Sequence, residues 1–317
     1  MELNKIYNES NIETLKRFDD ESIDIVLTSP FYNTNKKAGK RGTLLNTKTK
    51  KGQYEYIRYD VFVDTMTDEE KSAYEIKLYN FYDRVLKENG CILWNVSYGQ
   101  DGASKLLKLM SEITEKTVFD CADIITWHKS NALPNVCSPN KLTRICEYVF
   151  VFCRKKEFYT FHSNKAVISI REGTKQKMYS SFPNYIKAKN NDGTCPFNKA
   201  TFSTDFVEQL LSIYAPKQSV IYDPFMGSGT TAVACIKYGA NFIGSEISEN
   251  QVKFAEERIE DYIKSHSWVL PVYEGSYTAQ HPAESFPWNK SCKFIGEVTE
   301  VEYNKQFEPV SEQLELF

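Results

Sequence analysis

The amino-acid sequence predicts an α/β fold organised around a doubly wound sheet, with a ligand bound across the carboxyl ends of its strands. A glycine-rich strand-to-helix turn spans residues 223–231. A second predicted strand, at 241–245, ends in the acidic residue Glu246. Far upstream, an apolar run at 23–27 ends in a polar and aromatic corner at 28–33. Carboxyl ends of neighbouring strands meet at one sheet edge, so these segments predict a cofactor site beside a site for a flat ring.

The glycine-rich turn joins a short apolar strand at 220–222 to a helix that continues through 232–236. Glycine lets the backbone approach a ligand where a side chain would collide, and the amides of the following helix point into the same space. An acid at the tip of the next strand can accept hydrogen bonds from ribose hydroxyls. The candidate cofactor-binding residues of this region are Asp223, Phe225, Gly227, Gly229, Thr230, Thr231 and Glu246.

Two classes of ligand fit this turn. Residues 227–232 satisfy the G-x-G-x-x-G/A pattern of dinucleotide-binding proteins, so a nicotinamide-dependent oxidoreductase is one alternative. Asp223 and Phe225, which precede the glycines, favour S-adenosylmethionine instead. The carboxylate can meet the charged amino-acid part of that cofactor and the ring can lie against it, whereas a pyrophosphate would be repelled by Asp223.

The upstream corner carries the candidate catalytic residues Ser29, Pro30, Phe31 and Tyr32. An exocyclic aryl amine is a poor nucleophile because its lone pair is delocalised into the ring. The Ser29 hydroxyl oxygen and the Pro30 carbonyl can accept its two hydrogens and stabilise the charge that develops during transfer. An adjacent aromatic ring can stack on the base, which is worth ~1–3 kcal/mol. Taken alone, the corner also fits a proline-terminated strand followed by two core aromatic residues.

Together these motifs resemble those of the β-class amino DNA methyltransferases. In that family a (Ser/Asp/Asn)-Pro-Pro-(Tyr/Phe) motif precedes the target recognition region, and the cofactor motif Asp-Pro-Phe-x-Gly-Ser-Gly-Thr-Thr follows it. Residues 29–33 align with the first motif, residues 223–231 match the second, and Glu246 matches the ribose-binding acid. Residues 198–202, with Lys199 and Thr201, resemble the segment that closes over the methionine end of the cofactor. The resemblance covers about residues 3–262.

The resemblance implies a class I methyltransferase fold, which is a Rossmann-like, doubly wound mixed sheet. It also implies circular permutation of the chain and an inserted target recognition region. Two positions depart from the family pattern. Phe31 stands where proline is usual, so the corner is either less rigid or offers two rings to the base. Ser10 stands where an acid commonly touches the adenine of the cofactor.

The family order divides the chain into four predicted segments. These are a catalytic half at 1–129, a target recognition region with late sheet strands at 130–196, a cofactor-binding half at 197–265, and an acidic tail at 266–317. Hydrophobic patterns predict further helices at 73–86, 102–110 and 205–215, and strands at 91–96, 122–127 and 148–152. The first of these helices is expected to end in a C-cap at Asn89-Gly90.

The formal net charge is −3, but the charges are unevenly distributed. Residues 33–53 contain seven basic side chains and no acid, which predicts a loop that contacts DNA phosphates beside the target base. A second basic region spans 129–199, and the last quarter of the chain is acidic. His128, just before the second basic region, is interpreted as an ordinary polar residue at a strand end. The DNA-binding candidates of the first region are Lys36, Lys37, Lys40, Arg41, Lys48, Lys50 and Lys51.

Composition excludes several other classes. The absence of an 18-residue apolar run and of a signal-peptide profile predicts a soluble, cytoplasmic protein of a bacterial or phage-infected cell, without a membrane partner. Eight cysteines without C-x-x-C pairs predict reduced thiols and no metal site. No Pro-Cys pair is present, since Cys195 precedes Pro196 in the reverse order. The lack of a Pro-Cys nucleophile disfavours methylation of a cytosine ring carbon.

The last five residues resemble the Gln-Leu-x-Leu-Phe peptide by which bacterial proteins dock on the replication sliding clamp. The residues concerned are Gln313, Leu314, Leu316 and Phe317. A short peptide with apolar anchors at fixed spacing can fill a hydrophobic groove. The sliding clamp is therefore a predicted partner.

The sequence thus predicts an S-adenosylmethionine-dependent DNA methyltransferase that acts on an exocyclic amine of a flipped base in double-stranded DNA. Ser29 favours N4 of cytosine slightly over N6 of adenine, because serine at this position is commoner among the N4-cytosine enzymes of the family. A nicotinamide oxidoreductase and a non-catalytic DNA-binding protein are the alternatives. A cognate restriction endonuclease is a further expected partner.

Overall fold

A computed structural model describes residues 1–31, 66–98, 103–132, 134, 139, 142–193, 195–196, 198, 201–266, 269–274 and 293–299. Its helices are α1 (Asn11–Arg17), α2 (Asp68–Val85), α3 (Ser104–Lys116), α4 (Thr204–Tyr214), α5 (Thr230–Tyr238) and α6 (Glu249–Ser265). Its strands are β1 (Lys5–Tyr7), β2 (Ile23–Thr28), β3 (Leu86–Val96), β4 (Phe119–Lys129), β5 (Cys146–Arg154), β6 (Val167–Ile170), β7 (Lys177–Tyr179), β8 (Tyr185–Ala188), β9 (Val220–Asp223), β10 (Asn241–Ser245), β11 (Val269–Glu274) and β12 (Lys293–Thr299).

Eight strands form one mixed sheet in the order β1-β10-β9-β2-β3-β5-β4-β8. Neighbours from β1 to β3 run parallel, and β5 runs antiparallel to both β3 and β4. The strands β9 and β2 are adjacent in the sheet although almost 200 residues separate them in the chain. The strand order reverses at this pair, and such a switch point opens a crevice at the carboxyl ends of the strands.

Helices cover both faces of the sheet, as the doubly wound prediction requires. Alternation along the strands sends side chains to opposite faces, so Leu27 and Leu93 join one core cluster while Val26 and Trp94 join the other. The first cluster contains residues of α4, α5 and α6, including Phe206. The second cluster contains residues of α1, α2 and α3. The predicted α/β layers are therefore confirmed.

The helix predicted at 73–86 is α2, which begins five residues earlier and ends one residue earlier, and the C-cap predicted for it at Asn89-Gly90 is wrong. The helix α2 stops at Val85, and the following residue already pairs with β2 as the start of β3. The buried guanidinium of Arg154 donates to the carbonyl oxygens of Asp83, Leu86 and Lys87, and so satisfies the helix end. Asn89 does adopt a left-handed φ of 56°, but inside β3, where the register with β2 shifts.

The four predicted segments do not form four separate sheets. Strands from 1–129, 130–196 and 197–265 all enter the eight-stranded sheet, and the segment boundaries remain a prediction. In the predicted tail, β11 and β12 pair in antiparallel fashion as a sheet of their own.

Gly229 allows a close approach that the fold requires, which predicts a destabilising substitution. Its φ is 76°, and an added Cβ would lie 2.7 Å from Cβ of Ala255 on α6. Gly229→Ala should cost about 1–2 kcal/mol for the left-handed backbone and about 1–3 kcal/mol for overpacking. Urea denaturation would measure the loss. Gly173→Ala is the control, because an added Cβ there meets nothing within 4 Å, and equal stability of the two variants would contradict the prediction.

Candidate functional site

An open cavity lies at the carboxyl ends of β2, β9 and β10, and it encloses about 880 Å³ of space when its open mouth is included. Ser29 of the upstream corner and Gly227 of the glycine-rich turn both line this cavity. The two motifs that the sequence separates by almost 200 residues therefore face one space.

The glycine-rich turn presents backbone to the cavity at Gly227, which has a φ of 54°. An added Cβ there would lie 3.0 Å from the Asn198 side-chain nitrogen, so the gap between Gly227 and Asn198 leaves little room for a side chain. The turn ends at Gly229, where α5 begins. Because the first amides of a helix have no intrahelical partner, α5 directs hydrogen-bond donors toward this edge.

The Asp223 carboxylate holds the turn from inside the protein. One oxygen accepts a hydrogen bond from the Phe225 amide at 3.0 Å, and the other accepts one from the Thr231 hydroxyl at 2.5 Å. The side chain is buried and lies outside the cavity wall. Burial raises the pKa of Asp223 to about 7, against hydrogen bonds from Thr231 and Phe225 that lower it. The Asp223 carboxylate was expected to meet the cofactor, but it supports the turn from the side that faces away from the cavity.

Glu246 couples the turn to β10. Its carboxylate accepts hydrogen bonds from the amides of Gly227 and Ser248, each at 2.9 Å. The Asn8 side chain donates to the Glu246 carbonyl at 2.9 Å and ties in the segment after β1. Glu246 still lines the cavity, so its carboxylate can accept further donors from a ligand.

The corner that carries the predicted catalytic residues follows β2 directly. Ser29 is half-buried and lines the cavity, and Pro30 is buried. The Phe31 ring is 7% exposed and lies between the rings of Tyr74 and Phe225, at centroid distances of 5.8 Å and 6.0 Å. Phe31 therefore packs into the wall of the site.

The predicted site residues fall into three groups. Those that line the cavity are Ser29, Phe31, Thr201, Phe225, Gly227, Thr230 and Glu246. Those that lie behind its wall are Pro30, Asp223, Gly229 and Thr231. Those outside the described residues are Tyr32, Lys199 and all of the predicted DNA-binding set, namely Lys36, Lys37, Lys40, Arg41, Lys48, Lys50 and Lys51. The C-terminal pentapeptide also lies outside them.

Sequence reasoning missed part of the cavity wall. Glu9 and Asn11 line it beside Ser10, and Tyr74 donates a hydrogen bond to the Asn11 side chain at 2.9 Å. The exposed side chain of Ile247 follows Glu246 in the same wall. Ile247 could have been found from its position after the strand-end acid, but Tyr74 lies on a distant helix and gave no local signal.

A buried polar row continues from the corner across the sheet. The registers place Asn95 beside the Ser29 position and on the same face, next to β5. The Asn95 side chain donates to Glu147 at 3.2 Å, and Glu147 forms an ion pair with Lys129. His128 has a different partner, because its Nδ1 lies 2.6 Å from the Tyr185 hydroxyl.

The predicted recognition region divides between the two edges of the sheet. The segment before β5 and the segment after β8 lie at the cavity edge. Residues after Arg154 leave from the opposite edge, where the Asn164 amide donates to the Ile213 carbonyl at the end of α4. The ribbon of β6 and β7 follows from there, with all its side chains exposed.

The described residues contain neither a membrane-spanning helix nor a cluster of metal-ligating side chains. No helix in the part of the chain that the structure describes is long and apolar enough to cross a membrane. Within the same part, no group of three or more His, Cys, Asp or Glu side chains is arranged to hold a metal ion. The six cysteines of that part are free thiols.

The sheet order, the single antiparallel strand and a glycine turn at the switch point define the class I methyltransferase fold. Within this class, the chain belongs to the N6/N4 DNA methylase family, whose model matches residues 23–257. The resemblance inferred from the motifs is therefore confirmed. Family membership also removes the nicotinamide oxidoreductase alternative.

Individual relatives support the same assignment. The chain is 25% identical over 250 residues to the type II methyltransferase M2.MboI of Moraxella bovis, covering 76% of this chain and 82% of that protein. It is 23% identical over 274 residues to M.HinfI of Haemophilus influenzae, covering 82% and 69%. The solved PvuII cytosine-N4-specific DNA methyltransferase shares the fold, with a TM-score of 0.56, 15% identity, and coverage of 81% and 90%.

The raised pKa of Asp223 predicts a pH-dependent stability. Its folded pKa, about 7, exceeds the ordinary value of 3.8, so the unfolded chain releases this proton first as pH rises. The free energy of unfolding should therefore decrease between about pH 4 and pH 7. In Asp223→Asn the decrease should be shallower, because the amide side chain does not titrate. The amide can still accept from the Phe225 amide and donate to the Thr231 hydroxyl, so the turn should be kept.

Urea denaturation at a series of pH values would measure this slope. Burial raises the pKa of Glu75 on α2 to about 7 as well, so Glu75→Gln should flatten the same window. The double variant should be flatter than either single variant. An Asp223→Asn slope equal to that of the wild type would refute the account.

Proposed function

We propose that this chain transfers a methyl group from S-adenosylmethionine to an exocyclic amine of a base in double-stranded DNA, with N4 of cytosine favoured over N6 of adenine. The observation that carries the proposal is the shared cavity of Ser29 and Gly227. A methyl group can pass between two ligands only if the reacting atoms are held close together and in line, which a shared cavity allows.

The residues of the cavity suit the parts of the cofactor. Glu246 offers carboxylate oxygens for ribose hydroxyls, and Phe225 and Ile247 offer apolar surfaces for the adenine. Thr201 and Asn198 lie on the wall from the segment that precedes α4, where the methionine end would be held, with Lys199 between them in the chain. Bound S-adenosylmethionine supplies an electrophilic methyl group on a sulfonium, and its acceptor must come from the substrate.

The corner after β2 would orient that acceptor. The Ser29 hydroxyl oxygen and the Pro30 carbonyl would accept hydrogen bonds from the two N–H groups of the target amine and favour its tetrahedral, nucleophilic form. As the nitrogen–methyl bond formed, the carbon–sulfur bond would break and leave its electron pair on a neutral thioether, and one amine proton would be released to solvent. Because Phe31 is packed among other rings, Tyr32 is the proposed stacking partner of the base. Asp223 has no direct role here and sets the shape of the turn.

The base must leave the duplex to reach this cavity, at a cost of roughly a few kcal/mol. The basic residues between 36 and 51 would contact phosphates near the flipped base. The strand ends at the cavity edge, namely the end of β4, the start of β5 and the end of β8, would form the nearest part of the recognition surface. The proposal also includes a cytoplasmic location in a bacterial cell and two protein partners. These are a cognate restriction endonuclease and a sliding clamp, which would bind residues Gln313–Phe317.

The base preference rests on Ser29, since serine at this position is commoner among the N4-cytosine enzymes of the family. The prediction is that DNA from a bacterial host lacking its own cytosine and adenine methylases will gain N4-methylcytosine when this chain is expressed. Mass spectrometry of digested nucleosides would detect it without knowledge of the recognition sequence. A dominant N6-methyladenine peak would reverse the preference, and no methylated nucleoside at all would refute the activity.

A substitution at the corner tests the division of roles. Ser29→Ala removes one acceptor for the amine hydrogens, so methyl transfer should fall about 10²–10³-fold. The dissociation constant for S-adenosylmethionine should stay within about twofold, because Ser29 lies on the base side of the cavity. Radiolabel transfer and calorimetry would measure the two quantities.

The matched control for that experiment is Ser265→Ala, an exposed serine at the end of α6. It should leave both transfer and binding unchanged. Equal losses of transfer and cofactor binding in Ser29→Ala would contradict the assignment of Ser29 to the target amine.

A further inference from the structure

Phe31 occupies a position where the motif of the family usually has a second proline, and the structure shows what restrains it. The ring contacts Tyr74 of α2 on one side and Phe225 of the cofactor turn on the other. Only 7% of the residue is exposed. The direction of the Phe31 side chain is therefore set by two elements that are distant in the sequence.

Lys71 restrains the backbone of the same residue. Its ammonium donates a hydrogen bond to the Phe31 carbonyl at 2.8 Å and lies 5.0 Å from the centre of the Phe31 ring. Lys71 sits in the first turn of α2, which is anchored by a capping box between Thr67 and Glu70. Tyr74 follows three residues later on the same helix face, so one helix end holds both the ring and the carbonyl.

These restraints bear on the geometry of the corner. A proline would fix its own φ through its ring. At Phe31 the packed ring fixes the Cα–Cβ direction, and the ammonium fixes the carbonyl direction, so both φ and ψ lose their freedom. The peptide that joins Pro30 to Phe31 shares this constraint, and its carbonyl is the second acceptor proposed for the target amine.

We propose that Lys71 is a positioning residue for methyl transfer, and that its clamp on Phe31 replaces the rigidity which a second proline would supply. The inference rests on the proposed function above. Lys71 acts through Phe31 and Pro30, at the base side of the cavity. Its loss should therefore affect the rate of transfer and leave the binding of S-adenosylmethionine in place.

Lys71→Met tests the clamp, with Lys77→Met as the matched control because Lys77 is an exposed lysine of the same helix. We expect kcat to fall about tenfold in Lys71→Met, as loss of a charge-assisted hydrogen bond would produce. The dissociation constant for S-adenosylmethionine should stay within about twofold. Lys71→Arg, which keeps a cationic donor, should recover most of the rate. Lys77→Met should match the wild type.

Repeating Lys71→Met in a Phe31→Pro variant distinguishes loss of the Lys71 contact with Phe31 from a general disturbance of α2. In Phe31→Pro the ring of proline restrains the corner, so adding Lys71→Met should cost less than about threefold in kcat. An equal cost in both backgrounds would overturn the inference, as would equal rates for Lys71→Met and Lys77→Met. Loss of cofactor binding in step with kcat would also overturn it. These outcomes leave the proposed function standing, whereas absence of transfer by the wild-type chain would remove both.

Discussion

Two buried carboxylates fix the turn between β9 and α5, and the geometry of the site depends on them. Asp223 accepts from the Phe225 amide and the Thr231 hydroxyl, while Glu246 accepts from the Gly227 and Ser248 amides. A backbone donor left unpaired in the interior would cost about 1–3 kcal/mol, so each bond restricts the turn to one conformation. The result is a restrained turn that presents the backbone of Gly227 to the cavity, next to the Glu246 carboxylate.

The second half of the site is held against this turn by aromatic packing. Phe31 lies between Tyr74 and Phe225, so the corner after β2, the helix α2 and the glycine-rich turn meet at one ring. Aromatic pairs of this kind contribute about 0.5–1.5 kcal/mol beyond their buried area. The departure from the usual proline thus has a structural counterpart, because the ring that replaces it connects the two halves of the site.

Features that depend on local sequence were predicted accurately, whereas features that depend on distant contacts were not. The strand at 241–245 and the strand at 220–222 were located almost to the residue, since buried strands next to a glycine turn carry strong local signals. The C-cap of α2 was misplaced at Asn89-Gly90, because the carbonyls at the helix end accept hydrogen bonds from Arg154, which lies about 70 residues away in the chain. The predicted recognition region stays a prediction, and the antiparallel direction of β5 places the residues that follow Arg154 at the sheet edge opposite the cavity.

The sequence by itself determined the family of the protein and the residue types of the candidate site. Glycines at 227 and 229, an acid at 246 and a Ser-Pro pair after an apolar strand are required by local backbone conformation and by ligand type, so they can be read without a structure. Only the tertiary structure decided which way side chains face. Asp223 points inward, Phe31 packs between two elements, and Lys71 reaches the Phe31 carbonyl. Each of these contacts joins residues far apart in the chain, and such contacts leave no periodic or local pattern in the sequence.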